Sequence, residues 1–167
     1  NAMLYASINS WQKVIEDSGV LTDNQNYQKI KEKLKIAIDK TFWNEEKNIY
    51  ATYLVNGEQY HYAEYTQAVL LWAGCGDKDK NEKLCQDNGL IKLSLSNNYF
   101  KYEGLLRHDL ANLDYIIVDI KERWGKMLFS GATSFWETEE GERAFSKAGS
   151  LCHGWSAIPV YVLGKYL

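Results

Sequence analysis

The sequence has a single proline, Pro159, in 167 residues. The proline-punctuated turns of sandwiches and barrels are therefore missing, which favours long helices. Only three cysteines are present, Cys75, Cys85 and Cys152. An odd count without framework spacing argues against a disulfide scaffold and leaves buried free thiols as the default. Cys152 adjoins His153, but neighbouring residues rarely converge on one ion, so no metal site is expected. No apolar run approaches the roughly 20 residues of a membrane-crossing helix, and no membrane partner is expected. Basic residues are not in excess either. A net charge of −3 and a pI near 5.7 leave no nucleic-acid footprint. Lys29, Lys31, Lys33 and Lys35 read as one solvated helix face. Phosphate-binding glycine loops, His-Glu-x-x-His, a nucleophile elbow and Cys-x-x-Cys are all missing, and no cofactor is expected.

What the chain does have is aromatic side chains. Six Trp, twelve Tyr and five Phe make up 14% of it. Such enrichment suits a helical core with wide gaps or a carbohydrate-binding cleft, and composition leaves both open. The length suffices for one compact domain with a real core. Asn1-Ala2 before Met3 reads as a cloning scar, and residues 3–167 as a single helical domain without a linker.

Apolar spacing predicts a helix over 4–18 with Ile8, Trp11, Val14 and Ile15 on one stripe, stopping at Gly19. Thr22 or Asp23 is suited to cap a second helix. Its stripe is Tyr27, Ile30, Leu34, Ala37, Ile38 and Thr41. The helical period is lost over 42–62, where residues 48–55 look extended and Asn56-Gly57 forms a tight turn. Helices are predicted again over about 63–74, 78–88, 101–110, 112–124, 140–148 and 155–166. Leu113, Ile116, Ile117, Ile120 and Trp124 form a buried stripe, and Gly125 and Gly131 bracket the turn that follows. The fold class is all-α, built of antiparallel helical hairpins.

Two glycine-punctuated segments carry the chemistry: Gly131-Ala-Thr-Ser-Phe-Trp-Glu137 and Leu151-Cys-His-Gly-Trp-Ser156. Sugar-processing sites combine an aromatic wall with carboxylate and imidazole groups that handle hydroxyls and protons. Glu137 beside Trp136 is a candidate for proton work, or else a solvated glutamate among the acidic neighbours Glu139, Glu140 and Glu142. His153 either contacts a sugar hydroxyl or is a satisfied structural residue. Trp136 and Trp155 either form a stacking platform or pack in the core.

Together these two segments, with Pro159 and a closing apolar helix, resemble the C-terminal part of the six-hairpin catalytic domain of bacterial α-L-rhamnosidases. Phe42-Trp43-Asn44 with Tyr50, Thr66-Gln67-Ala68, and Trp124-Gly125-Lys126-Met127-Leu128 extend the resemblance over nearly the whole chain. It implies an (α/α)6 toroid and inverting hydrolysis of terminal α-L-rhamnose. It implies Glu137 as the water-activating base, His153 as a sugar contact, and Trp136 or Trp155 as pocket wall. Inverting chemistry uses two carboxyl groups roughly 6.5–9.5 Å apart. In that family the general acid lies on helices upstream of the matched part. The expectation is thus a partial toroid carrying half a site, inactive alone, either a truncated product or completed by another chain. Helix faces that a full ring buries would be exposed and would favour a homo-oligomer. Two other readings stay open. One is a non-catalytic helical module binding sugar or protein. The other is a different six-hairpin enzyme, such as a glucosidase or an uronyl hydrolase.

Overall fold

The computed structural model describes residues 1–19, 24–86 and 89–167. The described residues are mostly helical, with four short strands among them, and the chain separates into two compact units, Asn1–Ile91 and Lys92–Leu167.

In the first unit, α1 (Ala2–Ser18) and α2 (Asn24–Phe42) are followed by two small antiparallel pairs. β1 (Trp43–Asn44) pairs with β2 (Ile49–Tyr50), and β3 (Tyr53–Val55) with β4 (Glu58–Tyr60). Then come α3 (Glu64–Ala73) and α4 (Lys78–Gln86). The core gathers Ile38, Tyr50, Leu70, Ala73 and Cys75, with Tyr5, Phe42, Trp43 and Trp72 packed against it. The α1 stripe is only half buried. Ile8 and Ile15 face inward, whereas Trp11 and Val14 are exposed. The proposed caps Thr22 and Asp23 lie outside the described residues.

A fully buried amide ties the irregular segment to α3. Gln67 Nε2 donates to Tyr50 O at 2.8 Å, and Tyr50 N donates to Gln67 Oε1 at 3.4 Å. One side chain thus satisfies both backbone groups of a strand residue that would otherwise be orphaned in the core. A second amide anchors the β3–β4 hairpin. Gln59 Nε2 donates to Thr41 O (3.1 Å) and Trp43 O (2.9 Å).

In the second unit, α5 (Asn98–His108), a 3-10 turn (Leu110–Asn112) and α6 (Leu113–Phe129) precede a long irregular stretch. α7 (Ala144–Lys147) is a four-residue turn within that stretch, and α8 (Ile158–Tyr166) closes the chain. Tyr102, Leu105, Ile116, Trp124, Met127 and Val162 are buried in this unit. α6 does not stop at Gly125 as expected. It runs through to Phe129, because Trp124 and Met127 on either side are buried. Their packing outweighs the roughly 1 kcal/mol that an interior glycine costs a helix.

A buried carboxylate joins α5 to α8. Glu103 accepts hydrogen bonds from Tyr161 Oη and Tyr166 Oη, both 2.7 Å, from Lys165 Nζ at 2.9 Å and from Arg107 Nε at 3.0 Å. Burial alone would raise this carboxyl, but the bonds from Tyr166, Lys165 and Tyr161 outweigh it and hold it at about 2. A carboxylate this buried persists because donors surround it.

Candidate active site

The two glycine-punctuated segments lie side by side in the second unit, joined by backbone hydrogen bonds. Glu137 N donates to Ser150 O at 2.9 Å, and His153 N donates to Phe135 O at 2.7 Å. Ser134 Oγ adds a short bond to Leu151 O. Ser150 N returns a bond to Glu137 Oε2 at 3.2 Å. One oxygen of the Glu137 carboxylate is therefore held by a backbone amide. The other, Oε1, has no hydrogen-bond partner among the described residues, and the side chain is half-buried.

Several contacts fix these segments to the helices. Ala132 N bonds Met127 O at 3.0 Å, and Trp136 N reaches Met127 Sδ at 3.5 Å. Trp124 Nε1 donates to Ser156 O (2.8 Å), and Ser156 N to His153 O (2.9 Å). Two glycines allow a close approach. A Cβ on Gly141 would stand 2.8 Å from the Trp136 ring, and one on Gly149 would stand 2.0 Å from Gly141 O. Between the segments, Phe145, Ser146 and Lys147 take φ of 50°, 58° and 72°, a left-handed turn made by three non-glycine residues. The short helix expected over 140–148 is replaced by this turn and a 3-10 turn at Gly141–Arg143.

The acidic run after Glu137 is not uniformly solvated. Glu139 is half-buried and accepts from Arg123 Nε (2.7 Å) and Lys126 Nζ (2.9 Å). Arg123 is itself buried and also donates to Asn98 Oδ1 (2.8 Å) and Leu93 O (2.6 Å). Burial works to raise the Glu139 carboxyl, but Lys126 and Arg123 together hold it below its ordinary value.

The four candidate residues are thus placed as follows. Glu137 and His153 sit on adjoining, hydrogen-bonded segments, both half-buried. Trp136 is half-buried over Gly141, while Trp155 is 81% exposed and belongs to no core. No ring contact joins the two indoles among the described residues. Cys152, expected to be buried, is exposed. Sequence reasoning missed Ser150, which holds Glu137, and the Arg123–Glu139–Lys126 group. The spacing of Arg123 and Lys126 on one helix face was the available signal for the latter.

The model of the family described as Trehalase matches residues 1–108. The chain belongs to the trehalase family. That match ends before the Glu137 segment. No curated protein matches the sequence. Among solved structures, a rhamnosidase of family GH78 from Bacillus sp. GL1 is similar at 23% identity with a TM-score of 0.84. It covers 100% of this chain, which spans 19% of that one. A rhamnosidase from Klebsiella oxytoca, solved with rhamnose bound, is similar at 21% identity and TM-score 0.78, covering 99% of this chain and 33% of its own. Family and fold together make this a six-hairpin glycosidase-like, glycoside-hydrolase-like chain. The family shown is that of the trehalases, a related group, and not the rhamnosidase family that the motifs resemble.

Proposed function

We propose that this chain supplies the base side of an inverting glycoside-hydrolase centre, with Glu137 as the base and a terminal α-L-rhamnoside as substrate, within a partial (α/α)6 toroid. The observation that carries this reading is the Glu137 carboxylate itself: Oε2 is tethered by Ser150 N–H and Oε1 is left to accept a proton. In the reaction, water's oxygen bonds the anomeric carbon while its proton passes to Glu137. The glycosidic C–O bond breaks, and a second carboxyl group gives its proton to the departing oxygen. His153, on the adjoining segment, contacts the sugar, and Trp136 and Trp155 wall it.

The acid is neither Glu103 nor Glu139. A general acid must be protonated at working pH, and both groups are held ionised by their donors. The second carboxyl comes from another element, and the 167 residues alone are expected to turn over an aryl α-L-rhamnoside no faster than background. In the protein that carries this sequence, Glu137→Gln is expected to lower kcat by about 10²–10⁴-fold with KM little changed. The first product seen by proton NMR is expected to be the inverted anomer. Activity retained in Glu137→Gln, or a retained anomer, would overturn the proposal.

The match to the trehalase family favours a second reading, in which the substrate is an α-glucoside such as trehalose. Hydrolysis of trehalose but not of the rhamnoside by the same protein selects it.

A further inference from the structure

The β3–β4 hairpin of the first unit presents a built face that the Glu137 chemistry does not use. The turn Asn56-Gly57 has φ of 51° and 85°, the left-handed pair that matches strand twist in a two-residue hairpin. Register places Tyr53 opposite Tyr60, Leu54 opposite Gln59 and Val55 opposite Glu58. Strand alternation then sorts the residues. Leu54 and Gln59 share the face that Gln59 anchors to Thr41 and Trp43. Tyr53, Val55, Glu58 and Tyr60 share the opposite face, and all four are exposed.

The ring of Tyr53 is nearly parallel to that of Tyr60, with centroids 6.4 Å apart and planes 14° apart. It is also nearly parallel to the imidazole of His61, at 5.8 Å and 21°. Tyr60 and His61 are successive, and regular strand geometry would send them to opposite faces. His61 instead takes φ of 63°, which breaks the alternation and brings its ring to Tyr53. Its carbonyl is held in that conformation by Thr52 N at 2.7 Å. A left-handed histidine is conformationally costly, and such cost at an exposed site points to use. The two tyrosines remain 46% and 51% exposed, so these rings are not a core.

Three near-parallel rings, polar at their edges and with the Glu58 carboxylate on the same face, match a ligand with a flat C–H face and a rim of hydroxyls. An apolar helix of a partner protein would not satisfy the hydroxyls, the imidazole or the carboxylate. We infer that Tyr53, Tyr60 and His61 form a stacking platform that binds a pyranose ring of a carbohydrate, with Glu58 accepting from its hydroxyls. The inference rests on the reading that this chain handles carbohydrate. It adds a sugar contact that the Glu137 segment does not provide.

The test follows the ring resonances of Tyr53, Tyr60 and His61 by NMR while L-rhamnose or trehalose is titrated into the intact chain. The rings are expected to shift saturably with a Kd in the millimolar range. Tyr60→Ala is expected to weaken that binding at least about fivefold, and Tyr60→Phe, which keeps the π face, to hold it within about twofold. Glu137→Gln is expected to leave it unchanged. Rings that do not move with either sugar overturn the inference, as does Tyr60→Ala binding as tightly as the parent. Shifts lost in Glu137→Gln but kept in Tyr60→Ala move the sugar to the Glu137 segment, overturning the platform and leaving the proposed catalytic role intact. Saturable shifts at the hairpin in a protein whose Glu137 proves dispensable for turnover separate the two readings the other way.

Discussion

The two units hold their irregular segments by different means. In the first, neutral amides do it: Gln67 clamps Tyr50, and Gln59 anchors the hairpin. In the second, charges and glycines do it: Arg123 gathers Glu139, Asn98 and Leu93, while Gly141 and Gly149 let loop strands touch. Both schemes satisfy buried polar groups, but they fail differently. Removing an amide loses hydrogen bonds of ordinary strength. Removing a buried charge strands its partner, which is the more costly error. The candidate active site is built on the less forgiving scheme.

The largest expected effect comes from breaking that scheme at its centre. Arg123→Ala removes a buried cation that donates to Glu139, Asn98 Oδ1 and Leu93 O, leaving Glu139 with Lys126, and is expected to destabilise the second unit by about 3–5 kcal/mol. Gln67→Ala is expected to cost the first unit about 1–3 kcal/mol. Urea denaturation of both variants measures the gap, and equal losses would erase the contrast between the units.

Acid sharpens the comparison next. Glu103 has a folded value of about 2, below its ordinary 4.5, so its stabilisation is fully present above pH 4.5 and fades as pH falls through 2. The loss is on the order of 3 kcal/mol. Hydrogen exchange is expected to show α5 and α8 amides losing protection across this window, while the hairpin anchored by the neutral Gln59 keeps its own. Protection of α8 that is flat from pH 5 to pH 2 would refute this.

Glycines give the smallest effect and the finest distinction. Gly57 has open space around a would-be Cβ and φ of 85°, so Gly57→Ala meets only backbone strain, about 1 kcal/mol. Gly149→Ala drives a methyl into Gly141 O and is expected to cost about 1–3 kcal/mol, while Gly141→Ala meets the Trp136 ring and is expected to displace it. Thermal unfolding reads the stabilities and tryptophan fluorescence the ring, and a Gly149→Ala protein as stable as the parent would count against the close approach.

Much of the helical content was legible in the sequence, because apolar period and glycine stops are local signals. The helix expected over 63–74 is α3, Glu64–Ala73, and the Asn56-Gly57 turn is where the dipeptide places it. Errors arose where packing overrode local preference. α6 passes through Gly125, and α1 buries only Ile8 and Ile15 of its four-residue stripe. In the candidate site, residue types single out Glu137 and His153 as candidates, but the bonds that bring their segments together run through backbone groups, which no side chain advertises. The ion pair of Glu139 is not legible locally, because its partner Arg123 lies on a helix sixteen positions earlier. The approach of the His61 imidazole to Tyr53 is not legible either, because it depends on a backbone angle that sequence does not specify.

The turn at Phe145–Lys147 coils in the mirror-image sense, and each of its residues gives up about 1–2 kcal/mol to do so. The connector between the two halves of the candidate site therefore behaves as a wound spring rather than a hinge. The carbonyl of Ala144, which receives both Ala148 N–H and Gly149 N–H, closes the coil. The segment bearing Ser150, whose N–H tethers the carboxylate, begins one residue beyond that pair of bonds.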